Sequence, residues 1–248
     1  MDRYEGKKVV IIGGTSGIGL ATAKMLVDGG ARVLVTGRSQ AGLDSTQKEL
    51  GKGGVAVSSD ARSLTDIDAL ASRVKAEFDT FDLLFVNAGF SLFAPLENTT
   101  ETTCDEMFNL NAKGPFFSVQ KLAPLINQGG AVVLTTSTAN IKGMPMIAAY
   151  GGAKAALRSF ARTFAAELLP RGIRVNAVSP GPTETPIIGK AFPDKATADQ
   201  LMAQMREAVP MKRFGKAEEV AKAVLFLAFD ATFTTGAELP VDGGWSQL

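Results

Sequence analysis

Val9-Val10-Ile11-Ile12-Gly13-Gly14-Thr15-Ser16-Gly17-Ile18-Gly19 decides how the rest of the chain is read. Four β-branched apolar residues predict a buried strand, a glycine turn follows, and residues 20–26 go on with helical spacing. Glycines at a helix start let backbone N–H groups close on an anion, because no Cβ blocks the approach and the helix dipole favours negative charge there. Alone, the run fits an ordinary strand-to-helix turn as well. Its glycines at 13, 17 and 19 depart from the common dinucleotide fingerprint, which would place glycine where Thr15 and Ile18 stand. Nor is it a P-loop, since Leu20-Ala21 replaces the Lys-Ser/Thr pair that holds phosphate and metal.

Outward from the turn, short runs rich in Val, Ile and Leu recur at residues 9–12, 33–35, 55–57, 83–86, 131–134, 173–178 and 239–241. Helical patterns lie between them at about 18–28, 40–50, 65–78, 102–126 in one or two pieces, 148–169 and 217–229. Strands that are apolar throughout, alternating with helices, predict a doubly wound α/β fold: a Rossmann-type parallel sheet of about seven strands, helices on both faces, and right-handed crossovers. No boundary divides the pattern, so residues 1–248 are expected to form a single domain. The insert at about 182–214, with a short amphipathic stretch at 198–208, is expected to act as an active-site lid.

Composition narrows the function. Basic residues number 26 and acidic residues 25, with no long single-sign run, which argues against nucleic acid and membrane surfaces as partners. The chain has no histidine, so Ser-His-Asp and Cys-His nucleophile systems and imidazole-based zinc sites are excluded, and no metal is expected. Acid–base work must fall on Tyr, Lys or a carboxylate. Cys104 is alone, and the first residues lack the apolar core of a signal peptide, which predicts a cytoplasmic protein.

Tyr150 and Lys154 stand four apart at the head of a long helical pattern and therefore share a face one turn apart. Ala148-Ala149 and Gly151-Gly152 leave little bulk beside Tyr150, although each glycine weakens a helix by roughly 1 kcal/mol relative to alanine. A cofactor or another helix lying close is the expected reason. An ammonium about 4 Å from the phenol at an effective dielectric near 20 interacts at roughly 4 kcal/mol, or about three pKa units, which would bring the phenol towards about 7. Thirteen residues before Tyr150, Thr136-Ser137-Thr138 brings hydroxyls to the end of the fifth strand.

Gly13 to Gly19, Asn87-Ala88-Gly89, Asn111, Ser137, Tyr150-x-x-x-Lys154, Pro180-Gly181 and Val241-Asp242-Gly243-Gly244 run in this order over nearly the whole chain. In that order the chain resembles the short-chain dehydrogenase/reductase family. Ile12 stands where the family usually has Thr, Val86 replaces the first Asn of its usual pair, and Ser16 is uncharged where a basic residue sometimes sits. The resemblance implies hydride transfer between a nicotinamide cofactor and a carbonyl or secondary alcohol. It makes Tyr150 the acid/base, has Lys154 lower its pKa and hold the ribose, sets Ser137 on the carbonyl oxygen, and has Asn111 hold a water in the relay to Lys154. Tyr150 and Lys154 thus serve the cofactor as well as the chemistry. Further cofactor contacts are implied at Gly13, Thr15, Ser16, Gly17, Ile18 and Gly19 of the turn, at Asp60 and Ala61 around adenine, and at Asn87, Ala88 and Gly89. Pro180, Gly181, Thr183 and Thr185 are implied near the nicotinamide.

The second strand ends Val35-Thr36-Gly37-Arg38, with no carboxylate before Asp44 to hold a free ribose diol. Arg38 offers a planar fork of donors to a 2′-phosphate. NADP(H) is therefore expected, with NAD(H) as the alternative. Phe90, Leu92, Phe93, Met144, Met146, Ile187, Ile188 and Phe192 predict an apolar rim suited to a small apolar ketone, although core packing explains such residues equally well. A 3-oxoacyl-acyl-carrier-protein reductase is the alternative; Arg171 and Arg174 are the cations that could dock the carrier. A nucleotide-sensing protein without turnover is a second alternative, one expected to lack Tyr150 or Lys154. By the same resemblance the Ala-rich helix at 148–169 pairs copies of the chain, giving a homotetramer, and the carboxyl end with Trp245 is a second candidate contact.

Overall fold

Seven strands follow one another with helices between them in the computed structural model, which describes residues 2–184 and 195–248. The order is β1 (Lys8–Ile12), α1 (Gly17–Asp28), β2 (Arg32–Gly37), α2 (Gln40–Leu50), β3 (Gly54–Ser58), α3 (Leu64–Phe78), β4 (Phe81–Val86), α4 (Glu101–Phe108) and α5 (Gly114–Leu122). Then come β5 (Ile126–Thr135), α6 (Ala148–Leu168), β6 (Arg174–Pro180), α7 (Lys195–Ala208), α8 (Ala217–Leu225) and β7 (Glu238–Val241). All pair in parallel, in the spatial order β3-β2-β1-β4-β5-β6-β7. The order reverses between β1 and β4, and in such sheets the crevice beyond the strand ends at that point is where ligands bind.

Because β1, β2, β4, β5 and β6 are covered on both faces, their side chains are almost wholly buried, and two apolar layers form. One gathers Leu70, Val74, Leu122, Leu157 and Phe164 from α3, α5 and α6; the other gathers Leu26, Val220 and Val224 from α1 and α8.

Three stretches of the expected pattern take a more specific form in the structure. The pattern at 102–126 breaks at a π-turn, Asn109–Lys113, before α5. Gly114 sits there against α3's approach, where a Cβ would lie 2.0 Å from the Ala61 carbonyl oxygen. Asn127-Gln128-Gly129-Gly130, which lies outside the apolar run at 131–134, falls within β5 where its pairing with β4 shifts register between Phe81 and Leu83. The amphipathic stretch at 198–208 lies within the longer helix α7, while residues 185–194 of the expected lid, with Thr185, Ile187, Ile188 and Phe192, fall outside the described residues.

Candidate active site

The glycine turn is held by its neighbours on the sheet edge. Gly13 adopts φ +81°, and a Cβ there would lie 2.7 Å from the Ala88 backbone. Its N–H donates to Thr36 Oγ1 (3.2 Å), and its carbonyl accepts from Asn87 Nδ2 (2.9 Å), whose Oδ1 in turn accepts from Thr135 Oγ1 (3.1 Å). Thr36 on β2 thus supports the turn that Ile12 cannot support by its side chain. A Cβ on Gly19 would fall 2.1 Å from the Gly13 carbonyl oxygen, so the start of α1 can press onto the turn only without one.

Helices α2, α3 and α4 are capped by the hydroxyls of Ser39, Ser63 and Thr100. Helix α1 differs: the Ser16 side chain caps nothing, and its first turn holds no acidic residue. Its first N–H groups and its dipole therefore face the crevice uncompensated, which suits a phosphate.

That crevice is a cleft of about 650 Å³. Gly13, Thr15, Ser16, Gly17, Ile18, Arg38, Asp60, Ala61, Asn87, Ala88, Gly89, Ser137, Tyr150, Lys154, Pro180, Gly181 and Thr183 all line it. Two of the residues singled out by sequence lie behind the wall instead: Gly19, buried against Gly13, and Asn111, fully buried. Arg38 is exposed at the cleft end of β2 and makes no hydrogen bond or ion pair among the described residues. Asp60 is paired with Arg62 at 2.5 Å, and the hydrogen bond from Arg62 holds its carboxyl below the usual range.

Ser137, Tyr150 and Lys154 meet at the other end of the cleft. Ser137 Oγ accepts from the Ala139 N–H (3.2 Å), which leaves its proton free to donate, and the hydroxyl bonds the Tyr150 phenol. Lys154 is buried, donates from Nζ to the Thr135 carbonyl (2.8 Å), and lies 5.8 Å from the Tyr150 ring centroid. Burial pushes the phenol above its ordinary value and the Ser137 bond opposes that, so the chain's own geometry does not give the lowered phenol pKa expected from a 4 Å ammonium. Burial instead brings Lys154 down to about 7. The π-turn aims Asn111 inward, where Nδ2 donates to the carbonyls of Phe90 and Met107 and Oδ1 is buried without a partner. A Cβ on Gly89 would lie 2.7 Å from that Oδ1 and 3.1 Å from Lys154 Nζ, so the cradle fits a small hydroxyl-bearing group.

The low Lys154 value has a measurable consequence. Its native pKa lies below the unfolded one, so between about 7 and 10 the unfolded chain binds more protons and stability rises with pH; below 7 the full cost of burying the ammonium is present. Lys154→Met is expected to be more stable than the parent at pH 7 in urea unfolding. The gap, on the order of 4 kcal/mol at most, should close as the pH approaches 10. A gap independent of pH would contradict it.

Gly151 has a different explanation from the one its sequence context suggests. A Cβ there would lie 2.8 Å from the carbonyl oxygen of Ala139, in the turn that carries Ser137, so that turn is what this glycine makes room for. A Cβ on Gly152 would lie 3.6 Å from the Phe108 ring of α4, an ordinary contact. Sequence reasoning also missed Leu110, Pro145, Met202, Met205 and Trp245 as cleft lining; Lys142 Nζ lies 3.9 Å from the Trp245 ring centroid. Phe90, Leu92, Phe93 and Met144 line the cleft as expected, and Met146 does not.

A family model described as enoyl-(acyl carrier protein) reductase matches residues 13–246. An oxidoreductase of Sarocladium schorii, asL5, is 39% identical over 251 residues, covering 100% of this chain and 99% of its own. The 3-oxoacyl-acyl-carrier-protein reductase FabG of Thermotoga maritima is 37% identical over 248 residues, covering 98% of each.

The chain belongs to the short-chain dehydrogenase/reductase family.

Among solved structures, this dehydrogenase/reductase is similar to levodione reductase, with a TM-score of 0.90 at 29% identity over 98% of this chain and 99% of that one. It is also similar to a 3-ketoacyl-(acyl-carrier-protein) reductase from Brucella melitensis complexed with NADH, with a TM-score of 0.89 at 30% identity over 98% and 99%. The chain is thus an oxidoreductase of a family that binds NAD(P)H. No helix among its described residues is long and apolar enough to cross a membrane.

Proposed function

We propose that this oxidoreductase reduces a neutral, largely apolar ketone with NADPH. The observation that carries the reading is the distribution of charge in the cleft. Its charged lining residues are Arg38 and Asp60 at the β2 and β3 ends and Lys154 at the Tyr150 end, while Phe90, Leu92, Phe93, Met144, Met202 and Met205 supply an apolar wall. Among the described residues Lys154 is the one charged group at the Tyr150 end and its ammonium is already bonded to the Thr135 carbonyl, so the apolar wall favours a neutral substrate over a charged one, which is costly to bury unpaired.

The α1 N-terminus would hold the pyrophosphate, and Arg38, which makes no hydrogen bond or ion pair among the described residues, acts on Asp60 only by its charge and is followed by no carboxylate before Asp44, would hold the 2′-phosphate. Bound there, NADPH supplies the hydride. Ser137 Oγ–H orients the carbonyl oxygen, and Tyr150, kept protonated by burial, gives that oxygen its proton as the carbon is reduced. Lys154 faces the phenolate that remains and returns a proton to it, and Asn111 Oδ1, a buried acceptor without a partner, would hold the water that resupplies Lys154.

The carrier-protein reading loses its two candidate cations. Arg171 donates to the carbonyls of Ala123 and Ile126, and Arg174 to those of Leu227, Ala228 and Ala231, so neither guanidinium is free to meet an acidic partner.

A screen of neutral ketones and keto esters, followed by nicotinamide absorbance with both cofactors, tests the reading. Turnover confined to charged or carrier-bound substrates would overturn it. Arg38→Ala is expected to weaken NADPH by about 10- to 100-fold, the range of a charge-assisted contact, and to leave NADH within about twofold. An equal loss on both cofactors would remove the phosphate role from Arg38.

A further inference from the structure

We propose that Glu238, at the start of β7, is a positioning residue for Ser137: its carboxylate ties the turn after β5 and the Tyr150 face of α6 to one point. The proposal rests on the reading of Ser137 and Tyr150 given above.

A carboxylate on a four-residue edge strand is ordinarily solvated. That of Glu238 is only 13% exposed and is fully engaged. Oε1 accepts from Thr136 Oγ1 (2.5 Å) and from Asn140 Nδ2 (2.7 Å), and Oε2 lies 3.4 Å from Arg158 Nε. Thr136 immediately precedes Ser137, and Asn140 follows it by three residues, so the carboxylate grips the turn on both sides of the catalytic hydroxyl. Arg158 reaches in from α6, where Tyr150, Lys154 and Arg158 recur every four residues along one face, and it donates from Nη2 to the Gly236 carbonyl (2.9 Å). On the other side the Ala139 carbonyl rests against Gly151, next to Tyr150. The turn is therefore held to α6 twice, by direct contact at Gly151 and through the carboxylate at Arg158.

A buried ion pair adds little stability over apolar packing of the same volume, but it fixes the direction of every donor it holds. Two polar atoms of this cluster, Arg158 Nη1 and Asn140 Oδ1, are buried without partners, so stability alone does not account for it. What the cluster does fix is the separation of Ser137 from Tyr150. The charged groups facing Glu238 are Arg158 from α6 and, beyond it, Arg162, whose charge acts on Arg158; Lys154 is the cation packed over the Tyr150 ring.

The test is a cycle of Glu238→Gln, Ser137→Ala and the double variant, read by kcat, KM and the pH profile of oxidation of 1-phenylethanol, or of whichever neutral alcohol the screen ranks first. Glu238→Gln is expected to lower kcat by about 10- to 100-fold, the scale of a misplacement near 1 Å, with cofactor Kd within about threefold of the parent. The pKa that governs kcat should rise by about half a unit to one unit, because a loosened Ser137 bond no longer opposes the effect of burial on the phenol. In the Ser137→Ala background, Glu238→Gln should cost less than about twofold more. A full additional loss in that background, or an unchanged pH profile, would overturn the positioning role. Undiminished rates in Ser137→Ala alone would overturn the reading of Ser137 and this proposal with it. Asn140→Ala, which keeps the ion pair, covers the case in which Glu238→Gln does not fold: it should show a smaller kcat loss with the same dependence on Ser137, and independence from Ser137 would count against the proposal.

Discussion

Tyr150→Phe is expected to lower kcat by about 10²- to 10⁴-fold while cofactor Kd stays within about twofold, because it deletes one proton donor and keeps the ring. The ring lines the cleft and carries Lys154 on its face, so its packing survives the change. The hydroxyl bonds Ser137, whose Oγ keeps its bond from the Ala139 N–H when the phenol is gone. The hydroxyls of Thr135, Thr136 and Thr138 at this end of the cleft are committed to Asn87, Glu238 and the Pro180 carbonyl, which leaves Lys154, held by the Thr135 carbonyl, as the source of the residual rate. Steady-state rates with NADPH and titration of Trp245 fluorescence with the cofactor measure the two effects separately, since the chain's one tryptophan lines the cleft. A variant that turns over at the parent rate would remove Tyr150 from the chemistry.

The second large effect is expected at Gly19, which touches neither substrate nor cleft. Gly19→Ala places a methyl 2.1 Å from the Gly13 carbonyl oxygen and 2.9 Å from Asn87 Nδ2, and both are fixed. The Gly13 carbonyl accepts from that same Nδ2, so the clash falls on the bond that joins the turn to β4. Backbone must move, at a typical overpacking cost of about 1–3 kcal/mol in stability. The N–H groups at the start of α1 move with it, and cofactor affinity should fall about 100-fold, near 2.7 kcal/mol. Gly143→Ala is the control, since nothing lies within 4 Å of its added methyl and its backbone is in the ordinary region. Affinity retained in Gly19→Ala would mean that the close approach of α1 to the turn is not needed for binding.

The parts of the fold and site written in one short segment were legible in the sequence, and those made by distant segments meeting were not. The run from Val9 to Gly19 carries strand, turn and helix start together, and the seven apolar runs each mark a strand. Tyr150 and Lys154 declare themselves by a four-residue spacing, and Ser137 by its distance from them. Nothing local in Gly151 says that the Ala139 carbonyl will rest on it, nor in Thr36 that it will receive the Gly13 N–H in place of a side chain at position 12. Asn127 to Gly130 lacks the apolar pattern of a strand and bulges out of the ladder between the Phe81–Ile126 and Leu83–Ala131 pairs, tied by Asn127 Nδ2 to Asp82 Oδ1; a Cβ on Gly130 would lie 2.8 Å from the Asp82 carbonyl oxygen. Asn111 could be singled out by resemblance, but its inward aim depends on a π-turn that helical periodicity does not register. Nothing local marks Trp245 as cleft lining: Asp242, bonded to the backbone of Gly244 and Ser246, folds that end of the chain back onto the cleft.

The pairing of β1 with β4 also bears on how the protein comes to be active during folding. The Asn87–Gly13 bond spans 74 residues, and the turn lacks that support until β4 has been made and has found β1. Pairings of such separation pay loop-closure entropy before they return any contact, so they form slowly and late. The strand–turn–helix of the first 28 residues, though continuous in sequence, is then no binding unit by itself. A nucleotide that recognises only the completed crevice draws the folding equilibrium towards the finished chain by mass action, in proportion to its concentration over its Kd. Bound dinucleotide thus stabilises the same long-range pairing that builds its own site.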